Sequence, residues 1–167
     1  YAPFDQLHTL TQLPSPYNFT THYFEDGHRQ EGNRIPGFNL LVCDIDGTAD
    51  INVVRDLFDD HIYHIYTTKR HTDTEHRFRI VFPMNYKLEL SQEDYREFME
   101  NFMTWLPFEI DREAAIDTVR KWATNDGQYF YNFEGKLLDV LPFIPKTSRN
   151  EDYVTARDKT LKDLDGA

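Results

Sequence analysis

Apolar positions along this chain run together, alternate or recur at helical spacing, and each pattern predicts an element. From Phe38 to Asp46 a short unbroken run, Leu40-Leu41-Val42-Cys43, predicts a strand buried on both faces. Gly47-Thr48 ends it, and Thr48 or Asp50 is placed to cap a short helix through Phe58, with Ile51, Val54, Leu57 and Phe58 on one face. His61 to Thr68 is β-branched and aromatic and predicts a second strand. A polar loop follows over Lys69 to His76, and Arg77 to Phe82 predicts a third strand stopped by Pro83. Ser91 then opens the strongest helix, with Asp94 standing where a capping box carries Glu. Tyr95, Phe98, Met99, Phe102 and Leu106 follow at helical spacing, and Pro107 closes it. Arg112 to Trp122 predicts a second helical stretch, and Gln128 to Phe133 with Lys136 to Ile144 predicts a hairpin around Glu134-Gly135.

The ends are less patterned. Phe4 to Leu13 is a weak apolar segment closed by Pro14-Ser15-Pro16, Tyr17 to Phe24 alternates like a strand or hairpin arm, and Glu25 to Gly37 reads as a loop. Beyond Pro145 the chain turns polar. The order strand, helix, strand, strand, helix, further strands is the split-βαβ pattern. The expected fold class is therefore α+β: an RRM-like, split-βαβ core with additional strands, forming an antiparallel-rich mixed sheet. Helices pack on one face, and the other face is expected to be free for a site. Three regions are expected: an N-terminal segment over 1–37 packing on the core, a core over 38–145, and a tail or linker over 146–167.

Composition narrows this picture. The 167 residues fit one domain, and 29 acidic against 18 basic residues give a formal charge of −11. Such a charge excludes a protein that coats nucleic acid by bulk attraction, but not an enzyme with a local basic site. Cys43 is the lone cysteine, which excludes an internal disulfide and a cysteine zinc cluster and suits a reducing, cytoplasmic compartment. No apolar run reaches the length of a membrane span, the N-terminus does not read as a signal peptide, and a chain opening at Tyr1 reads as a piece of something longer.

The chemistry concentrates at the end of the Phe38–Asp46 strand. Asp44 and Asp46 lie two apart, so the period of a strand puts both carboxylates on one face. Paired hard oxygen ligands suit Mg²⁺ or Mn²⁺. Lys69, Arg70, His71, His76, Arg77 and Arg79 then gather in and after one loop of an acidic chain, with Arg77 and Arg79 on one strand face that is expected to border the Asp pair. Carboxylates for metal beside a cationic patch for phosphates is the layout of metal-assisted nucleotidyl transfer. Asp44-Ile45-Asp46-Gly47-Thr48 is also similar to the first motif of haloacid-dehalogenase-like phosphatases, in which Asp44 would be the nucleophile and Asp46 the general acid. No Gly-Asp-x-x-x-Asp run follows to complete that family's metal site, and Asp59-Asp60 lies too close to the first motif to serve.

Over roughly Leu40 to Tyr131 the sequence resembles the archaeo-eukaryotic primase superfamily, particularly the primase-polymerase domains of phages and plasmids. The Asp-x-Asp at Asp44 and Asp46 corresponds to its first motif. His71-Thr72 followed by Arg77-x-Arg79 and Pro83 corresponds to its second, with Lys69 and Arg70 near the place of the family's Ser. Ile110-Asp111 corresponds to the hydrophobic-Asp third motif, with Asp117, also preceded by isoleucine, as the other candidate; Arg120 and Trp122 match a following Arg and aromatic. The resemblance implies a primase-polymerase catalytic core over 38–145. Asp44, Asp46 and Asp111 would be catalytic and would hold two divalent ions, Mg²⁺ or Mn²⁺. His71, Thr72, Arg79, Arg77 and Lys69 would bind the incoming nucleotide. The implied partners are a single-stranded DNA template, NTP or dNTP, and a fused or associated helicase, with no membrane.

Two other readings stand beside this one: the phosphatase, and a non-catalytic nucleic-acid-binding or protein-binding domain of the same fold. His61 and His64 are expected to point to opposite faces of their strand and to be structural or surface residues. Tyr129 and Tyr131 share a face on which a base could stack, although core packing is the plainer role.

Overall fold

The computed structural model describes Phe4 and residues 7–13, 17–35 and 37–146, so the tail expected over 146–167 lies outside the described residues from 147 onward. In chain order the elements are α1 (Leu7–Thr11), β1 (Asn18–Phe19), β2 (Tyr23–Phe24), β3 (Arg34–Ile35), β4 (Phe38–Asp46), α2 (Ile51–Leu57), β5 (Tyr63–Thr67), β6 (Arg77–Leu88), α3 (Gln92–Trp105), α4 (Arg112–Ala115), β7 (Trp122–Ala123) and β8 (Tyr129–Asn132). The protein is α+β. Its main sheet has four strands in the order β4-β6-β5-β8, every neighbouring pair antiparallel, and β1 with β7 and β2 with β3 form two small pairs.

Alternation along β4 makes the layers. Leu41, Cys43 and Ile45 turn to one side, where Ile51 and Val54 of α2 and Tyr95, Phe98, Met99 and Phe102 of α3 complete the main core. Phe98 and Phe102 are fully buried, each contributing roughly 2 kcal/mol of apolar transfer. Both helices start on side-chain caps: Asp50 accepts from Asn52 N at 2.8 Å, and Ser91 accepts from Asp94 N at 3.1 Å. Leu57, expected on the buried face of α2, is exposed, and Phe58 fills that place.

The opposite face is not free. Val42, Tyr66 and Val81 are covered by Leu7 of α1, Phe19 of β1, Trp122 of β7 and Ala114 of α4. At the end of this face Asp44 is buried and Asp46, two residues on, is exposed.

Three predicted boundaries move. β6 runs through Pro83 to Leu88; the register with β4 shifts between Phe38 and Leu40, opposite the proline, so the sheet absorbs its missing donor there while its carbonyl accepts from Leu138 N at 3.1 Å. The helix expected over 112–122 is α4 alone, since Asp117 accepts from Val119 N at 3.0 Å and bends the chain towards β7. The hairpin around Gly135 does not form: β8 pairs with β5, and the segment after Gly135 makes isolated parallel bridges, Lys136 with His61 and Leu138 with Met84.

Candidate functional site

Asp44, Asp46 and Asp111 converge at the open end of β4, with one carboxylate oxygen of each within 4.8 Å of the others. Strand period explains the first two. The third arrives by a backbone contact: Asp111 N donates to Asp44 O at 2.9 Å, docking the segment after α3 on the free edge of β4. Asp111 also caps α4 by accepting from Ala114 N at 3.2 Å. It therefore sits at a helix start. Asp117 lies in the turn after α4, outside this cluster, with its carboxylate engaged at Val119 N.

The carboxylates differ in environment. The Asp44 side chain is 8 % exposed, and its Oδ1 lies 3.3 Å from Arg79 Nε without completing a hydrogen bond, so both atoms are buried without a hydrogen-bond partner. Burial raises the Asp44 pKa, Arg79 opposes that, Asp46 and Asp111 raise it further, and Arg120 lowers it. Asp46 is exposed and pairs with Arg77 Nη1 at 3.3 Å.

Cross-strand register supplies the cations. Arg79 stands opposite Asp44 and Arg77 opposite Asp46, so the expectation that this Arg face borders the Asp pair describes the geometry. Arg77 is shared with Glu75, Nη2 to Oε1 at 2.9 Å. Arg79 faces inwards: its Nη1 donates to Tyr66 OH at 3.2 Å and to Ala123 O at 2.6 Å, and its guanidinium lies 5.3 Å from the Trp122 ring centroid. Arg120 lies over the same indole at 5.5 Å.

The loop between β5 and β6 is folded back beside the carboxylates. His71 Nδ1 accepts the Arg77 N–H at 3.1 Å, so the proton of the neutral ring is on Nε2, away from that bond. Burial, then the neighbouring His76, lower the His71 pKa, with Asp73 opposing. Thr72 Oγ1 accepts from Glu75 N at 3.0 Å and shapes the turn. Lys69 and Arg70 are exposed. Gly47, at φ +80°, makes the tight exit from β4, its N–H donating to His76 O at 2.8 Å.

Outside this loop, His64 and His61 are engaged within the fold. His64 is fully buried, bonded to Tyr129 OH and to Phe4 O, and His61 pairs with Asp60 at 2.7 Å. Tyr131 is exposed but stacks on Tyr129 with centroids 5.5 Å apart. Sequence reasoning overlooked Tyr66 and Glu75; Tyr66 is visible only once the register of β5 with β6 is known, and Glu75 only once the loop sets it on Arg77. Compared with family models, curated proteins and solved structures, the chain has no match.

Proposed function

We propose that this chain is a template-dependent nucleotidyltransferase of the primase-polymerase kind, making or extending primers from nucleoside triphosphates. The observation that carries the reading is the convergence of the buried Asp44 with Asp46 and Asp111, one carboxylate oxygen of each within 4.8 Å of the others. An all-oxygen donor set of three carboxylates fits a hard divalent cation, and these side chains would hold Mg²⁺ or Mn²⁺. Bound cations would supply an acidified primer hydroxyl and charge compensation for the triphosphate.

The remaining roles belong to the chain. His71 offers its Nε2–H to a phosphate oxygen while Nδ1 stays bonded to the loop. Lys69 adds an exposed cation, Arg77 lies between Asp46 and the loop, and Thr72 fixes the turn that presents them. The position of β6 between β4 and β5, antiparallel to both and with α2 linking the outer two, supports an RRM-like, split-βαβ reading; β8 adds beside β5. The single-stranded DNA template, the fused or associated helicase and a cytoplasmic location are parts of this same proposal. No helix among the described residues is long and apolar enough to cross a membrane.

A phosphatase using Asp44 as nucleophile is less well supported. That chemistry belongs to a parallel, doubly wound sheet, whereas every named strand pair here is antiparallel. The test is extension of a primed and an unprimed single-stranded template with Mn²⁺. Incorporation that is lost in Asp44→Ala and Asp46→Ala, both still folded, supports the proposal. Phosphomonoester hydrolysis with phosphate trapped on Asp44 replaces it with the phosphatase, and template binding without turnover reduces it to a binding domain.

A further inference from the structure

Arg79 lies where the resemblance expects a phosphate-binding arginine, but its surroundings describe a different task. Asp44, Arg79 and Tyr66 form one cross-strand row over β4, β6 and β5. The guanidinium is enclosed: Tyr66 OH and Ala123 O accept from its Nη1, Tyr66 OH itself donates to Ala123 O at 3.0 Å, and Trp122 lies beneath. Tyr66 is fully buried, Trp122 is 4 % exposed and the Arg79 side chain 14 %. A side chain held by two acceptors and an indole in a packed core has little freedom to swing out to a substrate. What it does face is the Asp44 carboxylate, 3.3 Å from Nε.

We propose that Tyr66 and Arg79 are positioning residues: Tyr66, with Ala123 O, orients the Arg79 fork, and the fork fixes where the Asp44 carboxylate stands relative to Asp46 and Asp111. The inference rests on the reading of those carboxylates as a divalent-cation site. Asp44 belongs to an edge strand, and its Oδ1 has no hydrogen-bond partner, so the ion pair with Arg79 is what stands beside that oxygen to set the rotamer. Without the arginine plane beside it, the oxygen atoms would be free to turn from the cluster. Side chains that orient metal ligands in this way typically contribute about tenfold or more to metal affinity.

Tyr66→Phe and Arg79→Lys separate orientation from charge, because each keeps the net charge of the site. Both are tested in the full chain, without nucleotide, by titration with Mn²⁺ followed through the electron paramagnetic resonance signal of the free ion, with circular dichroism as the fold control. The expected result is Mn²⁺ binding weaker by about tenfold in Arg79→Lys and by a smaller factor in Tyr66→Phe. In primer extension, kcat falls while the nucleotide KM stays near its wild-type value. Wild-type Mn²⁺ affinity in folded Tyr66→Phe and Arg79→Lys overturns this inference alone, as does a raised nucleotide KM with unchanged kcat, which would make Arg79 a phosphate ligand. A wild-type chain that binds no Mn²⁺ overturns the inference together with the proposed function.

Discussion

Asp111 donates its backbone N–H to the carbonyl oxygen of Asp44 at 2.9 Å, so the carboxylate far along the chain is tied to the pair on β4 by main chain and not by side chains. The bond uses the free edge of β4, where an unpaired carbonyl would otherwise face water. It makes the carboxylate cluster a property of the backbone. The side chains can be exchanged one at a time without dismantling what brings them together.

Asp111→Asn should therefore remain folded. Asparagine caps a helix about as well as aspartate, so the bond from Ala114 N survives. What disappears is one anionic ligand, and Mn²⁺ affinity should drop by at least about tenfold, read by titration of the free ion. Asp111→Ala removes the cap as well and should cost about 1 kcal/mol of unfolding free energy. Equal Mn²⁺ affinity in wild type and Asp111→Asn would remove Asp111 from the cluster's function, and Asp117→Asn serves as the control expected to bind as wild type does.

Acid should unfold this protein through two histidines. Burial, then Arg34, lower the His22 pKa from 6.5 to about 4, against Glu31. Burial likewise takes His64 from 6.5 to about 4, opposed by its bond to Phe4 O and aided by His8. A depressed folded-state pKa means that the unfolded chain binds the proton first, so stability is full above pH 6.5 and is lost as pH falls towards 4. Each group accounts for about 3 kcal/mol over that window. Urea unfolding across it should show a steep loss, and His22→Phe, which keeps the ring between Phe38 and Tyr95, should remove about half of the slope.

Gly135 is a stability position remote from the carboxylates. Its φ of +133° suits glycine, and a Cβ there would collide with the backbone carbonyl of Asp60, which the Lys136 N–H holds at 2.9 Å. Gly135→Ala should lower unfolding free energy by about 2 kcal/mol or more while leaving Mn²⁺ binding intact. A neutral substitution would mean that the turn linking β8 to the Lys136 bridge relaxes freely.

What could be read from the sequence was what depends on local pattern. The apolar run before Asp44, the Ser91 cap and the spacing from Tyr95 to Phe102 each carry their answer within a few residues. The carboxylate pair was legible for the same reason, since strand period alone puts Asp44 and Asp46 together. Other features depend on partners far along the chain. Pro83 reads as a stop, yet a register shift in β4 lets β6 pass through it. Glu134-Gly135 reads as a hairpin, yet β5 competes successfully for β8. The cover over Val42 and Tyr66 is assembled from short pieces, Leu7, Phe19 and Trp122, none patterned strongly enough to announce it. Tyr66 became a candidate only when register set it beside Arg79.

His71 separates two functions of one ring. Its Nδ1 accepts the Arg77 N–H at 3.1 Å and holds the loop, while Nε2–H is the atom proposed to meet a phosphate. Asparagine places an acceptor near the position of Nδ1 and nothing at Nε2; glutamine reaches towards Nε2 and leaves the Arg77 N–H without its partner. His71→Asn should therefore keep the stability of the wild type and raise the nucleotide KM by about tenfold, the value of one hydrogen bond to a charged oxygen. His71→Gln should retain more nucleotide affinity but lose about 1 kcal/mol of stability through the unmade loop bond. Thermal unfolding and primer-extension kinetics on the two variants give four values. If both variants lose stability without any change in KM, His71 serves the loop alone, and the phosphate contact falls to Lys69 and Arg77.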